Sequence, residues 1–179
     1  MQDQHTEQTW VFGYGSLIYK VDFPFLERRV ASISGWERRF WQGSHDHRGT
    51  PEAPGRVVTL IPSGENRCRG VAYLVEQEVF NHLDHREKNG YERNTINIAF
   101  DDHEAPAPGV VYVAQAGNPA YLGPTESLEQ LAAHISQSHG PSGSNRDYLL
   151  QLADALRALG EHDSHVFALE SLLCPPLQC

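Results

Sequence analysis

The sequence predicts an α+β fold, and three observations carry that prediction. Apolar, β-branched and aromatic runs dominate the chain as far as Ala114, amphipathic helical patterns collect after it, and one helical pattern at 77–86 interrupts the strands. This order points to a small barrel-like sheet with helices packed against it. A length of 179 residues suits one core, so a single domain over 1–179 is expected; no repeat, low-complexity tract or linker divides it.

The elements follow in order. Thr9-Trp10-Val11-Phe12-Gly13-Tyr14 reads as a strand, aromatic and β-branched, that stops at the small-residue turn Gly15-Ser16. Residues 36–42 form an aromatic, arginine-rich strand, and 56–61 a short apolar one closed by Pro62-Ser63-Gly64. Residues 69–75 are another such run. Polar and apolar residues alternate over 94–100, as a half-exposed strand requires, and 109–114 follow the Pro-rich loop Ala105-Pro106-Ala107-Pro108. In the helix at 77–86, Val79, Phe80 and Leu83 share a face; in that at 126–138, Leu128, Leu131, Ala132 and Ile135 do. A third helix starts at Ser144 as N-cap with Asp147 in its first turn, carries Tyr148, Leu149, Leu152, Leu156 and Leu159, and stops at Gly160. A shorter fourth spans 165–173.

Composition excludes several functions. A net charge of −9 with only 14 Lys and Arg argues against nucleic acid and against anionic membranes. No apolar run reaches the roughly 18 residues of a membrane span. The start Met1-Gln2-Asp3-Gln4-His5 lacks a basic-then-apolar leader, so a cytoplasmic protein is expected. Three cysteines, Cys68, Cys174 and Cys179, make an odd count that reads as reduced thiols. Cys174 and Cys179 have no third and fourth ligand in view, and the histidines His45, His47, His82 and His85 form no zinc-ligand motif, so no metal is expected. Nothing in the sequence points to an oligomeric state.

Three segments are rich enough to carry chemistry. In Val11-Phe12-Gly13-Tyr14-Gly15-Ser16-Leu17, two glycines and a serine follow a strand. They make either a tight turn or a backbone nest for a carboxylate or oxyanion; the phosphate-binding Gly-Lys-Ser/Thr step is missing, and Ser16 is not in a nucleophile elbow. Leu83-Asp84-His85-Arg86-Glu87-Lys88-Asn89-Gly90-Tyr91 is a charged helix end, where Glu87 is either a solvated charge or a functional carboxylate. The third runs over 38–49, polar but holding Phe40 and Trp41; it is either a strand and loop with core aromatics or a binding segment.

Taken in order, these segments resemble the ChaC family of glutathione-specific γ-glutamylcyclotransferases. The resemblance rests on Trp10-Val11-Phe12-Gly13-Tyr14-Gly15-Ser16-Leu17-Ile18, Arg39-Phe40-Trp41-Gln42-Gly43-Ser44, Asp46-His47-Arg48-Gly49, Pro54-Gly55-Arg56-Val57-Val58-Thr59-Leu60, Gly70-Val71-Ala72-Tyr73 and Arg86-Glu87-Lys88. Gly90-Tyr91, Tyr121-Leu122-Gly123-Pro124, Gly140-Pro141-Ser142-Gly143 with Asn145, and His165-Val166-Phe167 extend it to about Leu173. It implies a small mixed β-barrel with flanking helices and a glutathione substrate, with no metal and no cofactor. It assigns Glu87 as the active-site carboxylate and Val11, Phe12, Gly13, Tyr14, Gly15, Ser16 and Leu17 as the substrate-binding segment. Tyr91 is expected to orient the site. Tyr19 stands where the family often has tryptophan, which implies altered fine packing.

The implied reaction needs no outside nucleophile, since the γ-glutamyl α-amine reaches its own γ-carbonyl and closes a lactam. Glu87 would move the proton from amine to leaving nitrogen, with a pKa expected to be raised by partial burial. Arg39, Asp46 and Arg48 are candidates for the peptide half on their density of polar groups alone. Two alternatives stand beside this: a cyclotransferase for other γ-glutamyl amides, and a non-catalytic member that binds a protein or transport system. The Asp46-His47-Arg48-Gly49 block favours glutathione, and the intact Arg86-Glu87-Lys88 block favours an enzyme.

Overall fold

The structure is a computed structural model and describes residues 7–86 and 90–174. Strands β1 (Gln8–Gly13), β2 (Glu27–Ser44), β3 (Gly55–Glu76), β4 (Tyr91–Phe100) and β5 (Ala107–Ala114) close into a barrel in the order β1-β3-β2-β4-β5. β1 lies antiparallel to β3 but parallel to β5, so the barrel is mixed. The barrel closes through the short parallel seam Trp10↔Gly109 and Val11↔Val110. Val11, Phe12, Ile33, Val71, Tyr73, Ile98 and Val111 are buried within one core cluster.

Two strands differ from the sequence expectation. β2 starts at Glu27, well before the segment at 36–42, and the separate runs at 56–61 and 69–75 belong to a single strand, β3. Pro62-Ser63-Gly64 does not end it. The pairing shifts register between Ser34 and Trp36, where Gly35 takes φ 86° and faces Gly64 at φ 44°. One residue of β2 stands there against four of β3, 63–66, and this irregularity bends the ribbon without stopping it. The near half of the ribbon therefore joins the barrel, and the far half reaches out to a loop at 45–54.

Helices α1 (Val79–Arg86), α2 (Leu128–Gln137), α3 (Asn145–Ala158) and α4 (Ser164–Leu173) agree with the expected ones to within a few residues. Ser144 caps α3, accepting from the Asp147 N–H at 3.1 Å, and Gly160 follows the helix at φ 74°. α2, α3 and α4 meet through Leu131, Ile135, Leu149, Leu152, Leu156, Val166 and Leu169, all buried. A short hairpin, β6 (His139–Gly140) and β7 (Gly143–Ser144), links α2 to α3.

Asn145 fastens this helical layer to the barrel. It is fully buried, and its side chain accepts from the Arg56 N–H (2.7 Å) and donates to the Arg56 carbonyl (2.7 Å), as a neighbouring strand would. Cys68 is a free thiol, buried and pushed up to about 11 by desolvation. Cys174 is disulfide-bonded, which corrects the expectation of a reduced thiol there; Cys179 lies outside the described residues.

Candidate active site

After β1 the chain turns at Tyr14 and Gly15 into a short 3-10 turn, Ser16–Ile18. Tyr14 is held at both ends, because its hydroxyl donates to the Tyr112 carbonyl at 2.6 Å and its own carbonyl accepts from Arg38 Nε at 2.6 Å. Gly15 has no room for a side chain. A Cβ there would stand 2.8 Å from Val58 Cγ2 and 3.3 Å from the Tyr148 hydroxyl. The glycine thus lets backbone approach β3 and α3 closely.

Two tyrosines from distant elements converge beside it. Tyr91, the first residue of β4, donates its hydroxyl to the Val58 carbonyl at 2.9 Å; Tyr148, from α3, accepts from the Val58 N–H at 3.3 Å. Tyr148 also stands edge-on to Phe40, ring centroids 5.8 Å apart. Packing and a hydrogen bond together fix each ring.

Ser16, Tyr91 and Tyr148 line both a cleft of about 220 Å³ and a smaller pocket of about 50 Å³. Phe12, Tyr14, Gly15, Leu17, Val58 and Tyr112 complete the smaller space, whose lining is largely aromatic. Lys20, Asp22, Asp46, His47 and Arg48 bring both signs of charge to the larger one. A ligand with one compact end and a charged polar remainder suits this division.

The charged loop is fastened down. Arg48 is buried, donates to the Ser144 carbonyl at 3.1 Å and lies 5.7 Å from the centre of the Tyr148 ring, while its N–H bonds Ser44 Oγ at 2.9 Å. The Ser142 N–H donates to the His47 carbonyl at 2.9 Å, and His47 Nδ1 lies 3.0 Å from Ser142 Oγ. Binding groups held this way lose little freedom when a ligand arrives.

Of the residues singled out from sequence, the structure brings Ser16, Asp46, Arg48 and Tyr91 to the larger cleft and Phe12, Tyr14, Gly15 and Leu17 to the smaller pocket. Val11 and Gly13 line neither: Val11 is fully buried and both pair with β3. Arg39 is not at the cleft either. It is ion-paired with Glu37 and lines a different hollow with Arg38, Cys68 and Asp163. Glu87 lies outside the described residues, which resume at Gly90 against the side chains of Gln42 and Asn118, next to Tyr91 at the cleft. Sequence reasoning missed Tyr148, Tyr112, Lys20, Asp22 and Ser142. Only Tyr148 carried a signal, a hydroxyl in an otherwise aliphatic helix stripe that had to find a partner.

The model of the ChaC-like protein family matches residues 9–174. The chain belongs to that family. This ChaC-like chain is 47% identical over 169 residues to Gamma-glutamylcyclotransferase 2-3 of Arabidopsis thaliana, covering 88% of this chain and 84% of the relative. It is 38% identical over 186 residues to the Glutathione-specific gamma-glutamylcyclotransferase 1 of Homo sapiens, covering 99% and 83%. A yeast crystal structure of a γ-glutamylcyclotransferase specific to glutathione superimposes with a TM-score of 0.85 at 32% identity, over 93% of this chain and 95% of the other. The ChaC-like fold expected from the motifs is therefore the observed one. Among the described residues, no group of three His, Cys, Asp or Glu is placed to hold a metal, and no helix is long and apolar enough to cross a membrane.

Proposed function

We propose that this chain is a glutathione-specific γ-glutamylcyclotransferase, which converts reduced glutathione to 5-oxoproline and cysteinylglycine. The likeness to glutathione-specific relatives along nearly the whole chain carries this reading. The α-amino nitrogen of the γ-glutamyl group bonds to its own γ-carbonyl carbon, the bond from that carbon to the cysteine nitrogen breaks, and one proton passes from the amine to the leaving nitrogen. Glu87 is the group assigned to that proton. The compact pocket behind Ser16 suits a folded γ-glutamyl group, whose α-amine must be held over the carbonyl. Lys20, Asp46 and Arg48 suit the cysteinylglycine half in the larger cleft. Residues 1–179 act as one domain, without a cofactor, in the cytoplasm.

Pure protein incubated with glutathione should release equal amounts of 5-oxoproline and cysteinylglycine. Absence of both would contradict the reading. A second reading, action on other γ-glutamyl amides, is favoured by one observation: the Arabidopsis relative at 47% identity is named a γ-glutamylcyclotransferase without mention of glutathione. A panel of γ-glutamyl dipeptides and amines separates the two, since a glutathione-specific enzyme leaves them intact.

A further inference from the structure

Arg38 is a charged side chain in the core that the reaction itself does not use. It lies on β2, its side chain is 1% exposed, and all three of its donor nitrogens are committed. Nε donates to the Tyr14 carbonyl at 2.6 Å, Nη1 to Asp163 Oδ2 at 3.1 Å, and Nη2 to the Arg69 carbonyl on β3. Asp163 is shared in turn: its other oxygen, Oδ1, accepts from the Val166 N–H at 3.0 Å and caps α4.

The geometry points to Arg38 as a positioning residue that, with Asp163, fixes the backbone of the segment at 14–16 in its binding form. This rests on the reading of the site given above. Tyr14 is the hinge between β1 and the turn at Ser16, and β1 ends one residue before it. From there the ladder to β3 no longer holds the chain. Arg38 takes over at the carbonyl where the ladder stops, while the Tyr14 hydroxyl anchors the other end of the residue on Tyr112. A guanidinium suits the task because its fork reaches three acceptors in fixed directions, which an ammonium cannot do. Burial keeps the contact rigid, since a buried guanidinium donor cannot exchange a lost partner for water. The cap of α4 and the substrate segment are thereby joined through one side chain.

Steady-state kinetics on glutathione, with hydrogen exchange of the 14–17 amides, test this in Arg38→Lys and Asp163→Asn. Asparagine still caps α4, so the second variant removes the carboxylate that pairs with Arg38 and leaves the helix start. Both should raise KM about tenfold, which is about 1.4 kcal/mol, change kcat less than threefold, and speed exchange at 14–17 while α3 stays protected. Unchanged KM and unchanged exchange at 14–17 in either folded variant would overturn the assignment. A purely structural role would lower the amount of folded enzyme without moving KM. Wild-type protein that makes no 5-oxoproline would instead defeat the functional reading, and the exchange measurement would still decide the role of Arg38.

Discussion

At the scale of single residues, the site depends on which groups are held and by what. Tyr148→Phe removes the acceptor for the Val58 N–H and a hydroxyl beside Gly15, while the ring contact with Phe40 remains. Losing one hydrogen bond of this kind is worth about 1 kcal/mol, and kcat/KM for glutathione should fall about fivefold. Gly15→Ala should do more. Its Cβ must displace Val58 or Tyr148, so activity should drop at least tenfold although the fold, read by circular dichroism, is retained. Gly15 and Ser16 stood out in the sequence as either a tight turn or a nest after a strand, and the family resemblance assigned them and Tyr91 to the site. Sequence reasoning singled out Arg39 and passed over Arg38: adjacent residues of a strand face opposite ways, and which face turns inward is decided by the barrel.

At the scale of elements, the seam between α3 and β3 matters most. Asn145→Ala would leave the Arg56 N–H and carbonyl unpaired in the interior, a loss of about 2–6 kcal/mol when each group is counted at its desolvation penalty. The urea midpoint should fall accordingly, and Ser144→Ala, which removes a cap beside it, should lower the unfolding free energy from the same titration by about 1 kcal/mol. Helix limits were legible because caps are local: Ser144 and Gly160 act through their own neighbours. The β2–β3 ribbon was not. Pro62-Ser63-Gly64 has the composition of a turn, and only its place opposite Gly35, where the pairing with β2 shifts and then resumes, makes it a bend within a strand. In the same way Lys20, Asp22, Ser142 and Tyr148 meet only because the barrel closes and α3 docks, which no local pattern encodes.

At the scale of the whole molecule, stability should depend on pH through His165. Its Nε2 accepts from the Phe40 N–H at 3.1 Å, and burial, helped by Arg39 and opposed by Asp163 and Glu37, lowers its pKa to about 4 from the ordinary 6.5. The folded state therefore resists protonation that the unfolded chain accepts. Its contribution is complete above pH 6.5 and is lost as the pH falls from there towards 4, by about 3 kcal/mol at most. Urea titrations across that window should show the decline, and His165→Gln, which keeps an acceptor without a titrating ring, should flatten it. An equally steep decline in that variant would assign the acid sensitivity to other groups.

The central claim is that this ChaC-like chain cyclises the γ-glutamyl group of glutathione with Glu87 moving the proton. Direct measurement of 5-oxoproline formed from glutathione, by wild type and by Glu87→Gln side by side, tests it. Wild type should release it steadily, and the variant should lose at least about a hundredfold in kcat, the scale of a missing general base. Glutathione left intact by wild type, or full activity in Glu87→Gln, would contradict it.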